Sequence, residues 1–162
     1  MLAHILLQNG IKCGIIGTNG VIMGDCFKPL SNTTPDSITI NMLFAEMVKQ
    51  GITHVVMEVS SHALDQDRVY GIRFKIGIFT NLSVEHMDYH GTMEKYAKAK
   101  LKLFEKSDIC VINKDDCFSE LFINSKNDMD SVCTYSTHST ADYQAEKIRV
   151  FSDGNKFDIV KA

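Results

Sequence analysis

The stretch KIGIFTNLSVEHMDYHGTMEKYAKAKLKLFEKSDICVIN, residues 75–113, decides the fold class. It opens with KIGIFTNL (75–82), a short apolar run with the look of a buried strand. TMEKYAKAKLKLFEK (92–106) has helical periodicity. At about 100° per residue, Met93, Tyr96, Ala97, Leu101 and Phe104 share one stripe, and Lys95, Lys98, Lys102 and Lys106 share the opposite face. DICVIN (108–113) is again a short apolar run. One lysine breaks the pattern. Lys100 falls inside the apolar stripe, where a charged amine is disfavoured and its pKa is lowered. Either it snorkels past its neighbours to water, or it is a functional amine in a cleft.

Working outward, the same alternation continues. LAHILLQN (2–9) reads as a helix stopped by Gly10, and KCGIIGT (12–18) as a buried strand. Gly20 to Asn32 reads as loop, with room for a small hairpin around Gly24-Asp25. Asn32 to Asp36 is dense in turn and capping residues. The helix after it carries Ile40, Leu43, Phe44, Met47 and Val48 on one stripe and stops at Gly51. HVVMEVS (54–60) reads as a further buried strand, with Glu58 near its C-terminal end. A helix over about 115–126 and a strand at VCTYS (132–136) follow. Residues 146–161 then read as a β-hairpin turning on Asp153-Gly154. Strands alternating with helices predict an α/β fold: a mainly parallel sheet with helices on both faces, ending in a short antiparallel hairpin. Residues 1–162 are expected to form one domain. Such sheets bind ligands at the C-terminal ends of their strands, where Glu58, Asn81, His86 and Lys100 are expected to converge.

The composition is ordinary for a globular protein, with 44% apolar and 23% charged residues in 162. A net charge of -3 without blocks of like charge argues against sequence-independent nucleic-acid binding. No apolar run approaches the ~20 residues of a membrane span, and Met1–Gly10 lacks the features of a secretory leader. Five scattered cysteines without C-x-x-C read as reduced thiols in a cytosol.

Several residues have the chemistry of a site. Glu58 suits a hard cation such as Mg²⁺, whereas His86 alone points to zinc or manganese. A desolvated Lys100 amine can add CO₂ and become a carbamate, turning a cation into a two-oxygen anion. His86-x-Asp88-x-His90 reads either as part of a zinc hydrolase site or as a loop with hydrogen-bonded histidines. Gly17-Thr18-Asn19-Gly20 lacks the Lys-Ser/Thr of a phosphate loop and reads as a turn. Asn32, Thr33, Thr34 and Ser60 offer short polar side chains for a ligand or for helix capping. Arg68, near Gln66, is either a carboxylate or phosphate clamp or half of a surface ion pair.

NTTPDS (32–37), THVVMEVSSHALDQDRV (53–69), FTNLSVEHMDYHGTMEKYAKAKLKLF (79–104) and VINKDD (111–116) resemble the central, ATP-binding domain of the Mur ligases. The EVSSH…Q-x-R and DYHG segments favour the MurE type over folylpolyglutamate synthases and the other Mur ligases. The MurE type adds the third amino acid to UDP-N-acetylmuramoyl-L-alanyl-D-glutamate. The resemblance implies a cytoplasmic ligase of peptidoglycan synthesis that uses ATP and Mg²⁺ and passes through an acyl phosphate. Its substrates are the UDP-muramoyl-dipeptide and a diamino acid, diaminopimelate or lysine. It implies that Lys100 is carbamylated, that Glu58, His86 and the Lys100 carbamate bind Mg²⁺, and that Asn32, Thr33, Thr34, Ser60, Gln66 and Arg68 contact the muramoyl-peptide. Family members carry a G-x-x-G-K-[ST] loop just before the first helix, and this chain begins inside that helix. A truncated central domain, inactive by itself, is therefore expected. The alternatives from other classes are a non-catalytic muramoyl-peptide-binding module and the zinc hydrolase on His86, Asp88 and His90.

Overall fold

The computed structural model describes residues 1–162, which form two compact units, 1–71 and 72–162.

The first unit contains α1 (Leu2–Gln8), β1 (Cys13–Gly17), β2 (Gly20–Met23), β3 (Cys26–Lys28), α2 (Ser37–Lys49), β4 (His54–Met57) and α3 (Ser61–Asp65). Its sheet has the order β3-β2-β1-β4. β1 and β4 run parallel, with Ile16 opposite Met57, while β1–β2 and β2–β3 are antiparallel. The core is Ile16, Val21, Met23, Leu43 and Met47. Asp36 starts α2 by accepting from the Ile38 and Thr39 N–H groups, and Gly51 follows its end at φ 72°.

Three expectations are corrected here. Gly20–Met23 is a buried strand, not loop: Val21 and Met23 fill the core while Ile22 faces out. The Gly24-Asp25 hairpin does form, with Met23 opposite Cys26. Val48 is not on the buried stripe of α2, since it is 71% exposed; Ile40, Leu43 and Met47 alone turn fully inward. β4 is an edge strand of its sheet with His54 and Val55 exposed, although its residues are as apolar as those of a central strand.

The second unit contains β5 (Phe74–Phe79), α4 (Met87–His90), α5 (Met93–Glu105), β6 (Ser107–Asn113), α6 (Ser119–Ile123), a 3₁₀ turn at Met129–Ser131, β7 (Val132–Ser136), β8 (Tyr143–Phe151) and β9 (Gly154–Lys161). The sheet order is β5-β6-β7-β8-β9, parallel from β5 to β8 and closed by the antiparallel β8–β9 pair. The α/β class is therefore as read from the sequence, although the strands belong to two hydrogen-bonded sheets and not one. Thr92 starts α5 by accepting from the Lys95 N–H. Tyr96, Ala97 and Phe104 of α5 and Phe122 and Ile123 of α6 pack on Phe79, Cys110 and Ile112 of the sheet. Phe122 stacks on Phe79 with centroids 4.0 Å apart.

The helix expected over 115–126 shrinks to five residues, because Asp116 folds the segment before it into a turn by accepting the Phe118 N–H, while the Asp115 carboxylate is engaged by Thr137 beyond β7. The terminal hairpin is longer than 146–161, beginning at Tyr143, and its two turn residues are Ser152-Asp153, one earlier than expected. With Val150 opposite Asn155, alternation places Val150, Phe157 and Ile159 on one face; a one-residue slip would divide them. No helix is long and apolar enough to cross a membrane.

Candidate functional site

In the first unit the polar residues gather at the C-terminal ends of the parallel pair β1 and β4. The Glu58 N–H still donates to Ile16 O, so the chain leaves β4 directly beside the β1–β2 turn. There the Thr18 N–H and hydroxyl both donate to Glu58 Oε2, at 2.8 and 2.7 Å. Thr33 Oγ1 is 3.1 Å from Thr18 Oγ1. Fully buried Thr34 fastens the 31–34 turn to the exit of β4: its hydroxyl donates to Glu58 O at 2.9 Å and accepts the Ser60 N–H at 3.0 Å. Ser60 in turn caps α3 by accepting the Ala63 N–H.

Arg68 is half-buried and does not form a surface ion pair. Its Nη1 donates to Thr34 O at 2.9 Å, and Nε and Nη2 both donate to Gln66 Oε1, at 3.0 and 2.6 Å. A guanidinium has five N–H groups, so one remains on each terminal nitrogen, the fork that receives a carboxylate or phosphate. Thr33, Thr34, Glu58, Ser60, Gln66 and Arg68 are thus one connected network. Asn32 stands apart on the exposed turn, where its amide nitrogen reaches only Ser31 Oγ at 3.5 Å. Thr18 was missed by sequence reasoning; its one signal is a hydroxyl just past the end of a parallel strand.

In the second unit His86 begins α4 in the left-handed conformation, at φ 58° and ψ 28°. The next turn buries His90, whose ring stacks on Tyr96 with centroids 5.0 Å apart. Tyr96 also meets the His86 ring edge-on at 5.9 Å, and Lys100 Nζ lies 5.3 Å from the centroid of the same ring. Lys100 is half-buried, as its place in the stripe predicts. Burial pushes its amine below the ordinary lysine value, against an opposing pull from Glu85 and Asp116. Asn81 is exposed after β5. The run that bears it is held from β6: Asn113 Nδ2 donates to Thr80 O at 2.8 Å, and Asp116 Oδ2 accepts the Leu82 N–H at 2.8 Å.

The zinc-hydrolase alternative is overturned. His86, Asp88 and His90 do not assemble a metal-binding group, and no three His, Cys, Asp or Glu side chains do so anywhere in the chain. Asp88, two positions from each histidine, points away from both, and the His86 and His90 rings both pack on Tyr96.

The family model for the Mur ligase middle domain matches residues 1–162. The chain belongs to the Mur ligase family. It is 44% identical over 160 residues to UDP-N-acetylmuramoyl-L-alanyl-D-glutamate--2,6-diaminopimelate ligase 1 of Clostridium acetobutylicum, covering 98% of this chain and 33% of that protein. It is 40% identical over 168 residues to UDP-N-acetylmuramyl-tripeptide synthetase 2 of Oceanobacillus iheyensis, covering 99% of this chain and 34% of that protein. Among solved structures, a UDP-N-acetylmuramoyl-L-alanyl-D-glutamate--2,6-diaminopimelate ligase superposes with a TM-score of 0.89 at 33% identity, over 99% of this chain and 34% of the other. The chain thus spans about a third of the length of the relatives it matches.

Proposed function

We propose that residues 1–162 are the central domain of a MurE-type ligase. The full reaction joins a diamino acid to the D-glutamate of UDP-N-acetylmuramoyl-L-alanyl-D-glutamate at the expense of ATP. The names of relatives about 40% identical along the whole chain support the reaction class. The observation that carries the reading to chemistry is Lys100: a half-buried amine, lowered by desolvation, whose Nζ lies 5.3 Å from the centroid of the Tyr96 ring that His86 also meets.

The amine of Lys100, once deprotonated, attacks CO₂; a C–N bond forms, one proton leaves to solvent, and a carbamate results. Glu58, His86 and the carbamate are assigned as ligands of Mg²⁺. The donor chemistry fits in the first unit: Glu58 is exposed, and its Oε1 accepts no hydrogen bond while Oε2 takes both from Thr18. Magnesium, when bound, supplies neutralisation of charge on phosphate oxygens. Arg68 offers its two outward N–H groups to an anionic group of the muramoyl-peptide, held in place by Gln66 and Thr34. Thr33, Ser60 and exposed Asn32 offer further polar contacts to the same substrate.

Two measurements test the reading on the chain itself. With ¹³C-bicarbonate, NMR should show a carbamate signal that is absent from Lys100→Arg. Calorimetry with UDP-N-acetylmuramoyl-L-alanyl-D-glutamate should show binding that Arg68→Ala weakens by about tenfold or more, as loss of a charge-assisted contact implies. No carbamate together with no heat of binding would overturn it.

A further inference from the structure

The GTNG motif, residues 17–20, is left without a role by the reading above. It forms the tight connection between β1 and β2: Gly17 pairs with Gly20, and Thr18-Asn19 are the turn. Gly20 sits at φ 105°, and a Cβ there would stand 2.6 Å from Lys28 O, so the turn accepts only glycine at its end. This fixes where Thr18 projects, at the C-terminal end of a strand parallel to β4.

We propose that Thr18 is the positioning residue of Glu58, tying it to Thr33 through one shared hydroxyl. Both Thr18 donors converge on Oε2, so the carboxylate is held in rotation as well as in place, and Oε1 is turned away. Because the Thr18 hydroxyl gives its proton to Glu58, the Thr33 hydroxyl donates to Thr18. The chain of bonds is Thr33 to Thr18 to Glu58. A ligand that engages Thr33 therefore acts on the orientation of the carboxylate. Gly17 completes the arrangement. A Cβ at Gly17 would lie 2.8 Å from Glu58 Cδ and 2.9 Å from Oε2, so the absence of a side chain is what lets the carboxylate approach Thr18. Gly17 is not at positive φ, so alanine there strains no backbone and displaces only the flexible end of Glu58. The consequence for metal binding rests on the assignment of Glu58 as a Mg²⁺ ligand.

The experiment separates the two claims. Three-bond couplings of the Glu58 side chain, measured by NMR on the whole chain without metal, report whether it occupies one rotamer. Wild type and Thr18→Ser should show one; Thr18→Val, which keeps the N–H but loses the hydroxyl, and Gly17→Ala should show averaging or a different rotamer. Wild-type couplings in Thr18→Val, or an averaged Glu58 side chain in the wild type, would overturn the proposal. In parallel, Mn²⁺ as an EPR-visible stand-in for Mg²⁺ should bind about tenfold more weakly to Thr18→Val and recover in Thr18→Ser, the size of effect expected from losing a partner of a metal ligand. Thr18→Val binding Mn²⁺ as wild type does, while Glu58→Gln has lost it, would remove the metal role. Glu58→Gln binding as wild type does would instead overturn the ligand assignment, and the couplings would still decide the positioning.

Discussion

The Arg68 guanidinium donates to the main-chain carbonyl of Thr34, 34 residues earlier, at 2.9 Å. This single bond joins the segment after α3 to the turn before α2. Arg68→Ala should therefore destabilise the first unit by about 1.5–3 kcal/mol, the usual range for a hydrogen bond from a charged group, in addition to weakening substrate binding. Arg68→Lys should recover little of either, because a single ammonium cannot serve Thr34 and Gln66 together with a fork left over. Urea unfolding of the two variants checks this; a Lys variant as stable as wild type would contradict it.

Lys100 sits where an apolar side chain would be more comfortable. Its amine has a lower pKa in the folded chain than the ordinary 10.5, so the unfolded chain holds the proton more tightly. The penalty is complete below the folded value and is relieved as pH rises towards 10.5. Lys100→Met should then be more stable than wild type at pH 7, by about 1 kcal/mol or about 2–4 °C in Tm, and should abolish the carbamate. The stability difference should narrow with rising pH. Thermal melts at pH 7 and pH 10 test the sign; a Met variant less stable at pH 7 would refute it.

Asp115 is a separate, structural carboxylate. Desolvation raises its pKa, but the Ser136 hydroxyl and the N–H and hydroxyl of Thr137 outweigh this and hold it at about 2. Ser136 is buried and accepts the His138 and Ser139 N–H groups, so Asp115 anchors the turn after β7. With the folded pKa below the ordinary 3.8, its contribution is full above that value and is lost as pH falls towards 2. Asp115→Asn presents N–H against N–H and should cost about 1–3 kcal/mol at pH 7. The gap between wild type and variant should shrink in acid, as denaturant titrations at pH 7 and pH 3 would register.

Phe122 is fully buried, stacked on Phe79 and edge-on to Phe104 with centroids 5.1 Å apart. Phe122→Ala should cost about 3–5 kcal/mol, enough to remove much of the stability of a typical domain. Phe122→Leu should cost less than half of that. Chemical denaturation of both variants measures it, and a loss below about 1 kcal/mol for alanine would mean the cluster collapses around the gap.

The elements legible in the sequence are those with a long period or a firm stop. α5 follows from its stripe and from Thr92, and α2 from Asp36 and Gly51, because caps and periodicity are local. β2 was not legible: four residues opened by a glycine carry too short an alternation to separate strand from loop. The edge position of β4 was equally hidden, since apolar composition does not say which strands lie on either side. In the site, Glu58 and Lys100 stood out as polar groups in apolar patterns. Thr18 did not, because its bond to Glu58 spans 40 residues and leaves no mark on either local stretch. Asn113 and Asp116 escaped for the same reason: they serve backbone groups more than 30 residues away.

His86 occupies a backbone geometry, φ 58°, that glycine adopts freely and most side chains resist. Glycine there would ease the backbone but forfeit the edge-on contact of the His86 ring with Tyr96. The two effects oppose each other, so His86→Gly should shift the melting temperature by only a few degrees, which thermal melts would measure. The corner at His86 is thus a balance of opposed demands, a backbone that would relax without a side chain and an aromatic neighbour that would lose its edge-on companion.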